Sequence, residues 1–367
     1  MPYPLIPDQV TVGAGTLTRL GVIAREAGIR RALIVSDRGI VAAGYVDIAR
    51  RSLEAAGIEV HTFHEFSENP DSDMAEAGRR AAEPLRIDGL IGLGGGSSMD
   101  CAKAINFVLT NGGVMSDYKG YGKASRPMLP MIGVPTTAGT GSEAQTYAII
   151  SDPSTHTKMA CGDPKAAFAA VILDAELTAS QPASVAAAAG YDALSHSVET
   201  WVTTRRNDES DARAREAWRL LDGSFERVLA SPGDLAAREA MLSGAYLAGA
   251  AIERSMLGAT HACANPLSAR YGTTHGVAIG MLLRHVVRWN AGEPGTAARY
   301  AQLASNISER LTTLASAAGF PGGLAAAGVP KDDLEMLAYD AAEQWTGRFN
   351  PRPFDARGAR EVYELAW

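Results

Sequence analysis

The stretch IGLGGGSSMDCAK (91–103) decides the fold. An apolar run that reads as a strand ends in Gly94, Gly95 and Gly96, and Ser97 and Ser98 then open a helix that carries Asp100 and Lys103. Successive glycines are costly in chain entropy, so they are expected where the backbone must come close to something. A helix N-terminus behind them offers free N–H groups and a partial positive charge, which suits a pyrophosphate. The bland alternative is an ordinary tight turn from strand to helix. A second turn, PTTAGTGSE (135–143), follows a second strand and adds the hydroxyls of Thr136, Thr137, Thr140 and Ser142, which suit phosphate and ribose. Taken as a pair, the turns imply a dinucleotide site that includes Gly95, Gly96, Ser97, Asp100, Thr136, Thr137 and Ser142.

Working outward, Val- and Ile-rich runs at 31–37, 58–63, 88–94, 131–135 and 169–174 read as strands, with helical patterns over 39–56, 72–86 and 97–110. That alternation predicts a parallel sheet with helices on both faces. Asp37 ends the first of these strands. A carboxylate there could accept from a ribose hydroxyl and repel a 2′-phosphate, favouring NAD over NADP, or it could simply cap the following helix. In the common G-x-G-x-x-G arrangement the glycines precede the acidic residue by ~20 positions. Here Asp37 comes first, so a Rossmann-like variant is expected instead.

After Pro182 strand-like runs nearly vanish, and Ala, Leu, Glu and Arg recur at helical spacing over 182–204, 207–230, 235–256, 275–290, 294–318 and 330–344. The expected organisation is an α/β dinucleotide-binding domain over 1–178 and an all-α metal-binding, catalytic domain over 179–367. Ser180 is expected to cap a helix whose first turn holds Pro182. In AAAAGYDALSHSVETW (186–201), Asp192 and His196 stand four residues apart, one helical turn on one face. Such a pair could grip an ion or be a surface hydrogen bond. His261 and His275 lie in GATHACANPLSARYGTTHG (258–276), an apolar stretch punctuated by glycine. A buried structural histidine is the alternative for either. Together the four offer nitrogen and oxygen ligands without a thiolate, which suits Fe²⁺ or Zn²⁺. The other histidines, His61, His64, His156 and His285, have no comparable neighbours and are expected to be structural or exposed.

Composition narrows the classes. A net charge of -7 and the lack of Lys/Arg clusters argue against a nucleic-acid partner. Cys101, Cys161 and Cys263 are odd in number and widely spaced, which suits a reducing cytoplasm better than a disulfide framework. No run approaches the ~18 apolar residues of a membrane span, and the N-terminus does not read as a signal peptide.

These motifs resemble those of the iron-containing (group III) alcohol dehydrogenase family over nearly the whole length: VTVGAGTLTRLG (10–21), GGGSSMDCAK (94–103), PTTAGTGSE, GYDALSH (190–196), GATHA (258–262) and FNPRP (349–353). The resemblance implies an active site in the cleft between an α/β domain and a helical one, with Asp192, His196, His261 and His275 as ligands of Fe²⁺, or of Zn²⁺. It also implies that Asp37, Asn69, Gly96, Ser97, Thr136, Thr137, Thr146, Lys158 and Leu177 line NAD. The implied reaction is reversible hydride transfer between a metal-bound alcohol and nicotinamide, with small alcohols and aldehydes as substrates and a homodimer as the assembly. Where many members carry a second histidine four residues after the third ligand, this chain has Asn265, an amide that cannot take up a proton but could contact substrate. Two other readings stay open. One is a dehydroquinate-synthase-like lyase that also uses NAD and a metal, although Arg254, Arg270, Arg284 and Arg288 are few and scattered for a sugar phosphate. The other is a catalytically decayed scaffold that still binds both.

Overall fold

A computed structural model describes residues 3–154 and 158–367; His156 lies outside them. The chain forms two compact units. The first runs to Thr137 and resumes over Gly141–Ser180, and the second takes Ala138–Thr140 and Gln181–Trp367.

The first unit contains β1 (Val10–Val12), β2 (Arg31–Val35), β3 (Glu59–Phe63), β4 (Gly89–Gly94), β5 (Gly120–Tyr121), β6 (Met131–Pro135), β7 (Tyr147–Ser151), β8 (Lys158–Gly162) and β9 (Ala170–Leu173). Six of these make a wholly parallel sheet in the order β1-β9-β6-β4-β2-β3. Its helices are α1 (Leu20–Glu26), α2 (Arg38–Ala42), α3 (Tyr45–Ala55), α4 (Ser72–Ala82) and α5 (Gly96–Asn111). Strand β4 is buried throughout, as a central parallel strand covered on both faces must be. Ala32, Ile34, Ile91, Leu93, Ile132, Val134 and Ile172 pack with Leu20, Ile23 and Leu53 of α1 and α3. On the opposite face, Gly92 lets Met99 and Ala102 of α5 come within 3.2–3.5 Å of where its Cβ would stand. The expected parallel α/β sheet is therefore present.

Several details depart from expectation, among them strand β1 and helix α1, which were not read from the sequence. The single helix over 39–56 is broken at Gly44, whose φ of 80° cannot continue a right-handed helix, giving α2 and α3. A three-stranded mixed sheet, β5-β8-β7, also forms from three stretches that were not expected to be strands.

The second unit is helical: α6 (Ala183–Val202), α7 (Asp208–Asp222), α8 (Phe225–Ala230), α9 (Leu235–Arg254), α10 (Ala259–Tyr271), α11 (His275–Asn290), α12 (Thr296–Tyr300), α13 (Ile307–Ala317), α14 (Leu334–Ala342) and α15 (Ala356–Ala366). Every residue of α6 from Gly190 to Val202 is buried, because α7, α9 and α11 pack around it. A helix buried on every side belongs in the middle of a bundle. Its start is not capped as expected: Pro182 is the N-cap, no side chain bonds there, and Ser180 accepts a hydrogen bond from Tyr45 instead. Helix α10 is new relative to the sequence patterns, since Pro266 sits inside it and Gly258 and Gly272 bound it. None of the helices in the described residues is long and apolar enough to cross a membrane.

Candidate functional site

The buried middle of α6 presents Asp192 and His196 on one face, as the four-residue spacing requires. The start of α10 brings His261 to them, and the first residue of α11 brings His275. Asp192 Oδ1 lies 3.3 Å from His196 Nε2, 3.4 Å from His261 Nε2 and 3.7 Å from His275 Nε2. His196 Nε2 and His261 Nε2 are 3.2 Å apart, and ligand atoms of Asp192, His261 and His275 all lie within 4.8 Å of one another. Asp192, His196 and His261 are buried, whereas the His275 side chain is 30% exposed. Asp192, His261 and His275 thus share a single centre, His196 borders it through Asp192 and His261, and the His275 side is the more exposed.

Beyond the ligand set, Glu199 stands seven residues after Asp192 on the same helix. Its Oε2 is 2.5 Å from His261 Nδ1, and its Oε1 accepts from Thr260 N–H at 2.7 Å. Burial raises the Asp192 carboxyl, yet the imidazoles, His196 first, outweigh it and hold the group well below the usual carboxylate range. Burial likewise opposes charge on His261, and Glu199 and Asp192 reverse that to lift it to about 9. The pocket therefore has an unmet demand for positive charge: two buried carboxylates with no lysine or arginine paired to them among the described residues. Asp192 Oδ1 is also buried without a hydrogen bond. A divalent ion satisfies both conditions, and it displaces the protons the field would otherwise hold on imidazole. The donor set fits such an ion.

In the first unit, Gly94 has φ 147°, and a Cβ there would meet Ser98 Oγ at 2.2 Å and Asp37 Oδ2 at 3.2 Å. Gly95 is the N-cap of α5 with no side-chain cap, so the first amides of α5, from Gly96 and Ser97, are left for a ligand. Thr136 N–H bonds Gly94 O, and Thr137 lies 3.4 Å from where a Gly95 Cβ would stand. Asn69, in the left-handed region at φ 54°, donates its N–H to Ser97 Oγ. Asp37, Asn69, Gly95, Gly96, Ser97, Thr136 and Thr137 are thus gathered at one end of β2, β4 and β6, a cradle that fits a dinucleotide phosphate. Asp37 Oδ1 caps α2 through Gly39 and Ile40 N–H, while Oδ2 lies over Gly94.

The remaining predicted cofactor residues sit differently. Ser142 donates to Asp100 Oδ1 at 2.6 Å and accepts from Lys103 Nζ at 3.0 Å. Lys103, fully buried, also bonds Ser142 O and Tyr147 O, each at 2.7 Å. Burial raises the Asp100 carboxyl despite Lys103 beside it. These three side chains rivet the second glycine turn to α5. Leu177 packs into the sheet core, Thr146 O accepts from Asp163 N–H, and Lys158 opens β8 on the surface. Replacing Lys103 by Met removes the side-chain donor from two carbonyls and leaves the Ser142 hydroxyl bonded to Asp100 alone. The expected outcome is a loss of about 3 kcal/mol of unfolding free energy, readable by denaturant titration, and unchanged stability would show that the rivet is idle.

Asn265, four residues after His261, donates to Gln344 Oε1 at 3.0 Å. Gln344 in turn donates to Asp340 O, which fixes the orientation of its amide. His61 pairs with Glu59, and His285 is buried, with burial and then Arg284 and Arg288 pushing it down to about 4. The basic residues of 240–290 are engaged locally: Arg254 with Glu209, Arg270 with Asp340, Arg284 with backbone carbonyls and Arg288 with Ser308. Nothing in those pairings favours a sugar-phosphate substrate. Sequence reasoning missed Glu199, although its place at i+7 on the Asp192 face was a readable signal.

Comparison with known proteins agrees over both units. The model of iron-containing alcohol dehydrogenases matches residues 7–175, and that of the C-terminal domain of the Fe-containing alcohol dehydrogenase family matches 186–367. The NAD-dependent methanol dehydrogenase of Bacillus methanolicus is 32% identical over 98% of each chain. The lactaldehyde reductase of Escherichia coli (strain K12) is 31% identical over 99% of each. Among solved structures, 1,3-propanediol oxidoreductase superposes with a TM-score of 0.94 at 30% identity over 98% of each chain. Sulfoacetaldehyde reductase from Bifidobacterium kashiwanohense, in complex with NAD+, gives 0.88 at 25% identity over 97% of this chain and 96% of that one.

Proposed function

The chain belongs to the iron-containing alcohol dehydrogenase family, and from that premise we propose that it is a metal-dependent, NAD(H)-linked alcohol dehydrogenase and aldehyde reductase for small substrates. Asp192, His196, His261 and His275 are the proposed metal ligands, and Fe²⁺ is the proposed resident ion. The observation that carries this reading is Asp192 Oδ1, buried without a hydrogen bond and faced by three imidazole nitrogens at 3.3–3.7 Å. Relatives named for methanol, lactaldehyde and 1,3-propanediol support a small alcohol or aldehyde as substrate.

When bound, a divalent ion supplies Lewis-acid polarisation of the substrate oxygen, and nicotinamide accepts or returns the hydride. In balance, alcohol and NAD+ give aldehyde or ketone, NADH and one proton. The chain's own part is to hold these groups. Gly95, Gly96 and Ser97 offer backbone and hydroxyl donors to the pyrophosphate at the start of α5, and the Asp37 carboxylate favours NAD over NADP. Asn69, Asp100, Thr136, Thr137, Ser142, Thr146, Lys158 and Leu177 complete the proposed nucleotide set, with Asp100 and Ser142 acting through the Lys103 rivet. Asn265, its amide oriented by Gln344, can steer a substrate oxygen but cannot exchange a proton with it. Three buried, unpaired cysteines suit a reducing cytoplasm, and a homodimer is the proposed assembly.

One experiment addresses metal, cofactor and substrate together: elemental analysis of the purified protein joined to an NAD(H)-coupled screen of small alcohols, diols and aldehydes. The expected result is one divalent ion per chain and NADH accumulating with at least one alcohol. Metal-replete protein that binds NAD but never accumulates NADH would overturn the dehydrogenase reading in favour of a lyase or a scaffold.

A further inference from the structure

We propose that Glu199 is a positioning residue of the metal centre: it fixes His261 in the tautomer that presents a bare Nε2, and it locks the start of α10 to α6. The inference rests on the ligand set proposed above. An ionised carboxylate only accepts hydrogen bonds, so at 2.5 Å from Glu199 Oε2 the hydrogen of a neutral His261 must sit on Nδ1. Nε2 then carries the lone pair, and it is the nitrogen that faces Asp192 Oδ1 at 3.4 Å.

The same carboxylate replaces a local helix cap. Gly258, the N-cap of α10, has no side chain to offer, and the first amides of the helix are satisfied from elsewhere: Ala259 N–H by Asn350 Oδ1 at 3.2 Å and Thr260 N–H by Glu199 Oε1 at 2.7 Å. A Cβ on Gly258 would stand 2.9 Å from Asn350 Oδ1 and 3.1 Å from Glu199 Oε1, so the glycine is what lets both acceptors reach the helix end. The negative charge also faces the positive end of α10. Both oxygens of Glu199 are therefore committed, one to the ligand and one to the backbone just before it.

Glu199→Gln separates this role from a plain structural one. An amide has one acceptor oxygen and an NH₂ group, so it cannot accept from Thr260 N–H and His261 Nδ1–H together, and it no longer lends charge to the imidazole. The test is chelator competition for Zn²⁺ and the visible spectrum of Co²⁺-loaded full-length protein, with His261→Ala alongside. The expected result is a metal affinity weaker by roughly 10–100-fold, shifted Co²⁺ bands, and partial recovery in Glu199→Asp, which keeps the charge on a shorter reach. Should Glu199→Gln fail to fold, Glu199→Asp carries the test, with weaker affinity than the parent as the supporting outcome. Parental affinity and spectrum in the folded variant, with only the unfolding midpoint lowered, would reduce Glu199 to a helix cap and overturn the proposal. His261→Ala that keeps its metal as tightly as the parent would instead bring down the ligand set, and this inference with it.

Discussion

Asp192→Ala is expected to abolish turnover while leaving a folded protein that still binds NAD. Asp192 Oδ1 is the atom all three imidazole nitrogens face, and among the four proposed ligands it alone brings a negative charge. Without it the site keeps three neutral donors, and metal content falls towards zero. A bound ion can lower the pKa of a ligated water from 15.7 to about 7, so losing a comparable effect on an alcohol removes on the order of 10 kcal/mol, or about seven powers of ten in rate. A missing general base removes only roughly 3–5 kcal/mol. That contrast explains how a chain with Asn265 in place of a titratable group can remain an enzyme, whereas one without its ion cannot. In the metal-free fold the change removes the attraction between Asp192 and the imidazoles but no hydrogen bond to Oδ1, so a folded, less stable protein is expected. Metal analysis, NADH formation and NAD titration on one preparation check the three parts of this expectation. Near-normal NADH formation by metal-counted Asp192→Ala protein would remove the carboxylate from the ligand set.

What the chain reveals without its fold depends on how local each interaction is. The first glycine turn is legible because strand, glycines and helix start are consecutive, and Gly94 is held open by Ser98 only four residues on. Asp192 and His196 are legible for the same reason, sharing one face of one helix. His261 and His275 suggest themselves by residue type and apolar surroundings, but only packing of α10 and α11 against α6 supplies a common centre. Helix α10 itself escapes a pattern search, since Pro266 removes a backbone donor from its interior and its polar groups follow no stripe. Its first amides are satisfied by Glu199 and Asn350, 61 and 91 residues away, and no local capping signal can announce that. The Asn265–Gln344 bond spans 79 residues and is illegible on the same ground. Ser142 and Asp100 illustrate the converse case. Hydroxyl and carboxylate chemistry suits a nucleotide, yet the neighbouring Lys103 draws both side chains into an internal network.

Gly276→Ala is expected to unfold or loosen the second unit and lose metal with it, and the larger loss of stability distinguishes it from Asp192→Ala. Gly276 is the second residue of α11, directly after His275, and a Cβ there would lie 2.1 Å from Ala188 O and 2.5 Å from Ala188 C on α6. These are backbone atoms one turn before Asp192, so no side-chain rotation relieves the clash. The helices must part, and the cost is on the order of 3 kcal/mol for overpacking of this kind. The separation falls at the very junction that sets the 3.7 Å between His275 Nε2 and Asp192 Oδ1. A displacement of about 1 Å at a reacting centre costs roughly 10²-fold in rate, so even the folded fraction should turn over poorly. Gly272→Ala provides the comparison. Its φ of 63° makes it a left-handed helix stop, but no atom lies within 4 Å of the added methyl, and the expected loss is about 1 kcal/mol with metal retained. Denaturant unfolding and metal content measured on both variants decide the matter. If Gly276→Ala matched the parent in stability and metal content, the close approach of α11 to α6 would not be what places His275 opposite Asp192.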